Sequence, residues 1–167
     1  MCQLLSTNAP ATTALVRILV GSVFLSEGIQ KFLYPAERAA RRFAKIGIPA
    51  PQVMGPFVAG CETVCGALLI IGFLTGLAVV VLLIDISVAI LSTKIPVLLG
   101  HGFWGLSLMK LPRYGFFSMM HEARTDFSMR LGSLFLLIVG AGRWSLDAAL
   151  ALENAAPHGM AASPPSR

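Results

Sequence analysis

Long apolar stretches dominate the chain and restrict the folds that it can adopt. A helix that crosses a bilayer needs about 20 predominantly apolar residues. Four stretches approach that length: Ala11 to Leu33, Val53 to Leu74, Gly76 to Thr93 and Phe127 to Trp144. Charged residues make up only 13% of the chain, against about 25% in soluble domains. The sequence therefore predicts an all-α, integral-membrane four-helix bundle.

The connections between the predicted spans differ in length. A glycine-containing turn joins the second and third spans. The first long connection, Tyr34 to Gln52, contains a basic stretch that predicts a short amphipathic helix on the surface. In the second, Lys94 to Asp126, proline and glycine interrupt an apolar stretch, so we expect an interfacial or re-entrant segment between the third and fourth spans. We expect its apolar side chains to pack against the bundle: Val97, Leu98, Leu99, Phe103, Trp104, Phe116 and Phe117.

The chain is predicted to form one domain. Residues 1–153 are assigned to a single transmembrane four-helix domain, and residues 154–167, rich in Ala, Pro and Ser, to a disordered tail. The formal net charge of +5 is typical of loops that contact anionic headgroups. Since no nucleic-acid-binding motif accompanies it, we expect the lipid bilayer, and not nucleic acid, as a partner. An oligomer is compatible with such a bundle.

Ionisable residues inside the predicted spans are the candidate functional groups, because they are costly there and mark either function or tight pairing. Five of them, counted from the span ends, fall in one half of the bundle: Glu27, Lys31, Glu62, Asp85 and Arg130. Burying three carboxylates with two cations leaves an unbalanced charge, so we expect a neutral carboxyl group or a cationic ligand. Two interpretations stay open: a structural ion-pair network, or a site for a ligand, a quinone headgroup or protons.

Three further residues are secondary candidates: Arg17, His101 and His121. Arg17 falls in the opposite half of the first span. The two histidines fall in the second long connection, where they could ligate a metal or relay protons. No third ligand stands at a recognisable spacing, so the sequence predicts no metal site.

Four local motifs, in order, resemble the DoxX family of small four-span membrane proteins. They are LVRILVGSVFLSEGIQKF (Leu15 to Phe32), FAKIGIPAP (Phe43 to Pro51), GCETVCGALLIIGFLTGLA (Gly60 to Ala78) and GAGRWSLDAAL (Gly140 to Leu150). The resemblance extends over roughly residues 12–150. The connection from Lys94 to Asp126 is longer than the minimal family pattern.

The resemblance implies a membrane-redox setting. The family takes its name from a subunit associated with a terminal quinol oxidase and with thiosulfate–quinone oxidoreductase activity, and other members resemble partners in thiol or oxidative-stress systems. It implies an integral subunit of a quinone-linked redox or oxidative-stress system, in a bacterial inner membrane. In that role the polar cluster would bind a quinone headgroup or relay protons.

The chain carries no evident haem or flavin motif, so a redox role requires a partner protein that transfers electrons. Whether the chain is part of an oxidoreductase stays open, and so does its cofactor, for which a quinone is one candidate. The alternative belongs to another class: a non-enzymatic membrane assembly factor, or a protein that binds a small molecule or cargo.

The distribution of basic residues predicts the orientation. Cytoplasmic loops are enriched in Lys and Arg, and the two long connections, on the same side of a four-span bundle, contain Arg38, Arg41, Arg42, Lys45, Lys110, Arg113 and Arg124. We therefore expect both termini outside the cytoplasm. Fusing a compartment-sensitive reporter to each end measures this directly. A cytoplasmic C-terminus would contradict the orientation, and opposite locations of the two ends would contradict the number of spans.

Overall fold

Long helices form the framework of the protein, for which a computed structural model describes residues 10–155. The third long helix is composite, because α4 continues through a π-helical turn into α5. The elements are α1 (Thr13–Leu33), a π-helical segment (Pro35–Ala40), α2 (Arg41–Ile46), α3 (Pro51–Ile71), α4 (Thr75–Ala89), the π-helical turn (Ile90–Lys94), α5 (Ile95–Leu99), α6 (Phe116–Val139) and α7 (Leu146–Ala155). These elements confirm the predicted all-α membrane bundle.

Three helices in the described part of the chain are long and apolar enough to cross a membrane: Thr13–Leu33, Pro51–Ile71 and Thr75–Leu99. The fourth long helix, α6, has 24 residues, but Glu122, Arg124 and Asp126 make its first half charged, and Arg130 follows in the second half. It begins eleven residues before the predicted Phe127 and ends at Val139, where Gly140 adopts a φ of 90°. A fourth crossing of the membrane therefore stays a prediction.

The four long helices form a closed ring in which α1 packs on α3, α3 on α4, α4 on α6, and α6 on α1. Their facing sides share one apolar core. Its fully buried members include Val20, Leu69, Val79, Leu82 and Leu136. Outside this core, many large apolar side chains are exposed on the helices, such as Leu15 and Ile84, as expected where lipid is the solvent.

The closest helix pair is α1 with α3, and glycines allow the approach. A Cβ atom on Gly28 would lie 2.7 Å from the Thr63 amide nitrogen and 2.9 Å from the Ala59 carbonyl oxygen. A Cβ atom on Gly66 would lie 2.7 Å from the Leu25 amide nitrogen. Real Cβ atoms do not approach backbone atoms this closely, so small residues at these positions set the distance between the two helices.

The second long connection is shorter than predicted. Lys94 to Leu99 belong to the third long helix, and the fourth begins at Phe116, which leaves residues 100–115 as the interfacial segment. This loop is tied to the bundle, because the Gly115 amide donates to the Val97 carbonyl at 3.1 Å and the Ser107 amide to the Ile46 carbonyl at 2.8 Å.

The expectation that seven apolar side chains of this connection pack against the bundle was wrong for most of them. Val97 is fully buried, but Trp104 is 93% exposed and Phe117 86% exposed. Trp104 also has a left-handed backbone conformation, with a φ of 53°. Exposed aromatic rings at the ends of spans are typical of the membrane–water interface, which the sequence pattern alone does not separate from a buried core.

Helix α7 was not predicted, and it closes the opposite end of the bundle. Its Asp147 carboxylate accepts hydrogen bonds from the Leu74 amide at 2.8 Å and the Thr75 amide at 3.0 Å. These amides begin α4 and have no partner within their own helix. Asp147 therefore caps α4. Most of the predicted tail, residues 156–167, lies outside the described residues.

The α1–α3 contact gives a paired test. Replacing Gly28 with Ala adds a methyl group against the backbone of α3, and we expect a loss of roughly 1–3 kcal/mol in the free energy of unfolding. Gly60 of α3 is the matched control, since a Cβ there meets nothing within 4 Å. Gly60→Ala should be neutral or stabilising by up to about 1 kcal/mol. Denaturant unfolding in detergent measures both, and equal effects would contradict the proposed packing constraint.

Candidate functional site

A cavity of about 390 Å³ lies among the four long helices, towards the end where α1 finishes and α6 begins. Apolar side chains, including Phe24, Ile86 and Met129, form much of its wall. Residues of α2 and the following turn line its outer part, and Arg42 is among them. Its acidic and lysine side chains come from α1, α3, α4 and α6: Glu27, Lys31, Glu62, Asp85, Glu122 and Asp126.

Lys31 and Glu62 form the central ion pair of the cavity. The Lys31 Nζ atom donates a hydrogen bond to Glu62 Oε2. Only 9% of Lys31 and 4% of Glu62 is exposed. The pair forms across the close α1–α3 contact, because Lys31 follows Gly28 by one helical turn and Glu62 precedes Thr63, which contacts Gly28. Pairing lowers the cost of holding both charges in an apolar bundle.

Asp85 brings a second carboxyl group to this pair. It lies on α4, is half-buried, and lines the same cavity as Lys31 and Glu62. A hydrogen bond between two carboxyl groups requires a proton on one of them. With that proton, the set of Lys31, Glu62 and Asp85 is neutral. A neutral carboxyl group, one of the two alternatives predicted from the sequence, would therefore balance the charge of these three residues without a cationic ligand.

Glu27 also lines the cavity, half-buried on α1 one turn before Lys31. The structure therefore brings together four of the five residues predicted for the cluster: Glu27, Lys31, Glu62 and Asp85. Their role in binding or proton transfer stays a prediction.

Arg130 does not join them, which corrects the predicted cluster. Its side chain is exposed, and the neighbouring Met129 lines the cavity instead. One residue is a rotation of about 100° around a helix, so Arg130 faces away from the cavity when Met129 faces it. The depth of Arg130 in the span was estimated from the span ends, and depth does not define the direction of a side chain.

A second buried ion pair was missed by the sequence analysis. Lys94 Nζ lies 3.2 Å from Asp126 Oδ2, and Asp126 lines the cavity. Both residues were assigned to a connection, because Pro96 was read as a helix break. In the structure Pro96 stands in the first turn after the π-helical turn, where its missing N–H is tolerated. The apolar run Ile95–Leu99 was the available signal that the helix continues.

The secondary candidates lie away from the cavity. Arg17 is buried at the other end of α1, where its guanidinium donates to the Ala141 carbonyl at 2.6 Å and the Trp144 carbonyl at 2.5 Å. It holds the segment between α6 and α7, a structural role. His101 and His121 are both exposed. Within residues 10–155, no three His, Cys, Asp or Glu side chains are grouped so that they could hold a metal ion.

The arrangement suits proton exchange with a ligand that is largely apolar. The Glu62–Asp85 pair can donate or accept a proton, and the Lys31 ammonium can stabilise a negative charge that develops on a ligand oxygen. The apolar part of the wall lowers the local dielectric constant and so strengthens these interactions.

Two comparisons with known proteins agree on the family. The sequence model of the DoxX family matches residues 12–95. An uncharacterised membrane protein of Mycobacterium tuberculosis is 48% identical over 145 residues, which cover 87% of this chain and 85% of the relative. The chain belongs to the DoxX family. This DoxX protein is an integral membrane protein, and no solved structure matches its fold.

The matched region contains α1, α3 and α4, and therefore Glu27, Lys31, Glu62 and Asp85. It ends at residue 95, before α6. The Lys94–Asp126 pair and the α6 wall of the cavity thus extend beyond the part of this DoxX protein that the family model covers.

The central ion pair gives a test of burial. Lys31→Met leaves Glu62 and Asp85 without their cation, and we expect a loss of about 3–5 kcal/mol in the free energy of unfolding, as for other broken buried pairs. The double variant Lys31→Met with Glu62→Leu should lose less than Lys31→Met alone, because it removes the stranded charge as well. Lys110→Met, at an exposed position, is the control. Denaturant unfolding that gives the same value for Lys31→Met and Lys110→Met would show that the pair is not buried.

Proposed function

We propose that this DoxX protein binds the headgroup of a membrane quinone in its cavity and exchanges protons with it. One observation carries the proposal: the buried Lys31–Glu62 ion pair and further carboxyl groups, Asp85 among them, line a cavity whose remaining wall is largely apolar. A quinone has the matching chemistry, since it joins an apolar ring to carbonyl oxygens that gain protons on reduction. The cavity volume of about 390 Å³ is within the range of small-molecule sites, roughly 300–1,000 Å³.

Each residue has a separate role in this proposal. Lys31 donates a hydrogen bond to a quinone oxygen and stabilises the negative charge that reduction places on it. The Glu62–Asp85 pair supplies a proton to that oxygen and is then reprotonated. Glu27 lines the same cavity on α1 and provides a further carboxyl group near the ligand.

Reduction of a quinone to a quinol takes two electrons and two protons. The cavity residues position the ligand and deliver one proton to the oxygen beside Lys31, and the second proton reaches the other oxygen from solvent. The electrons come from a redox partner protein, which makes this chain the quinone-binding subunit of an assembly in the bacterial inner membrane. The mycobacterial relative supports a bacterial setting, and the redox setting is supported by the family resemblance.

A quinone extraction and a binding titration test the proposal. The full-length protein, purified in mild detergent, should retain quinone that solvent extraction and chromatography detect. Equilibrium dialysis with a short-chain quinone should then show binding that Glu62→Gln weakens about tenfold or more, since a hydrogen bond to a charged group contributes about 1.5–3 kcal/mol.

One control and one further variant make the binding result decisive. Lys110→Gln changes an exposed residue outside the cavity and should bind like the wild type. Asp85→Asn tests the second carboxyl group in case Glu62→Gln impairs folding. Wild-type protein that contains only phospholipid and does not bind the quinone would reject the redox role. That result would favour the other class of function, a membrane assembly factor or a protein that binds another small molecule.

A further inference from the structure

Glu122 connects the cavity with a second pocket nearer the surface. This outer pocket, of about 350 Å³, is formed by residues 111–113 and by the first turns of α6. Its lining includes Arg113, His121 and Glu122. Glu122 lines the inner cavity as well, so a single carboxyl group borders both spaces.

Asp126 is one helical turn further along α6, on the same side as Glu122. Residues four apart on a helix are neighbours on its surface, and both side chains line the inner cavity with Glu62 and Asp85. Asp126 is half-buried and paired with Lys94, which is only 6% exposed. Lys94 thus fixes the position of the Asp126 carboxylate at the cavity wall. Glu122 and Asp126 therefore follow one another along α6, from the outer pocket towards the Glu62–Asp85 pair.

We propose that Glu122 and Asp126 relay protons from the outer pocket to the Glu62–Asp85 pair. The inference deepens the proposed function, because it names the groups that reprotonate the pair after it has given a proton to the ligand. A proton from water binds the Glu122 carboxylate and passes through a bridging water to Asp126. It then passes to the deprotonated carboxyl group of the pair. Each transfer breaks one O–H bond and forms another, so that no electrons and no further reactant are needed.

Other charged groups facing the cavity define the electrostatics of this route. They are Glu27 and Lys31 on α1, Arg42 on α2, Glu62 on α3 and Asp85 on α4, with Lys94 behind Asp126. Lys94 lies beside Asp126 in the middle of the route, and Lys31 lies beside Glu62 at its inner end. Lys94 acts as a positioning residue, because it contacts Asp126 and not the ligand.

Hydrogen–deuterium exchange of the buried carboxyl proton measures the route without a ligand. In full-length protein reconstituted into lipid nanodiscs, infrared spectroscopy follows the C=O band of the protonated carboxyl group after transfer to D₂O. The band is assigned by its loss in Glu62→Gln or Asp85→Asn. We expect Glu122→Gln to slow the exchange by about tenfold or more, since a positioned proton donor typically contributes about 10²–10⁴-fold. Glu153→Gln, at an exposed position of α7, should exchange like the wild type.

Exchanging the charges of Lys94 and Asp126 distinguishes a proton relay from an ion pair that has only a structural role. In the double variant Lys94→Asp with Asp126→Lys, the ion pair is kept while the carboxylate leaves the cavity wall. Proton relay predicts a wild-type melting temperature with slowed exchange. Unchanged exchange in both the swap variant and Glu122→Gln would overturn the proposal, as would the absence of any protonated-carboxyl band in the wild type. If the swap variant does not fold, Glu122→Gln alone decides.

The outcome is independent of the quinone titration. Slowed exchange in a protein that binds no quinone would support the relay and reject the proposed ligand. Quinone binding with unchanged exchange would support the ligand and reject the relay.

Discussion

The close approach of α1 to α3 is the constraint on which the rest of the structure depends. Gly28 and Gly66 allow backbone contact between the two helices, and that contact brings Lys31 within hydrogen-bonding distance of Glu62. With larger residues at the two glycines the helices would separate, and each charge would remain in an apolar bundle without its partner. The pairing of Lys31 with Glu62 therefore depends on the packing of the small residues. The cavity lies beside this contact, and α4 and α6 complete its wall.

The buried cations divide into two groups with different consequences. Arg17 is bonded to backbone carbonyls at the end of the bundle that α7 closes, where it holds a turn in place. Lys31 and Lys94 are each paired with a carboxylate that lines the cavity. The buried charge of Arg17 therefore stabilises a turn at one end of the bundle. The ion pairs of Lys31 and Lys94, at the other end, border a cavity that a ligand could enter. This asymmetry is the physical basis of the proposed function.

The helix boundaries show where the apolar pattern of the sequence predicts the ends of a helix correctly and where it does not. The starts and ends of α1 and α3 differ from the predicted spans by a few residues, because the apolar run and the helix coincide there. The third and fourth helices extend well beyond the predicted spans, to Leu99 and back to Phe116. Apolarity marks the part of a helix that is in lipid, but it does not mark where backbone hydrogen bonding ends. The charged first half of α6 was therefore assigned to a connection.

The sequence by itself determined that the chain is a helical membrane protein, and it predicted Glu27, Lys31, Glu62 and Asp85, together with Arg130, in one half of the bundle. These properties depend on apolarity and on distance along the chain, which are local. Only the tertiary structure decided that Arg130 faces outward while Asp126 faces the cavity with Lys94 as its partner. That choice depends on the rotation of α6 about its own axis, and the rotation is set by packing against α1 and α4, residues distant in the sequence.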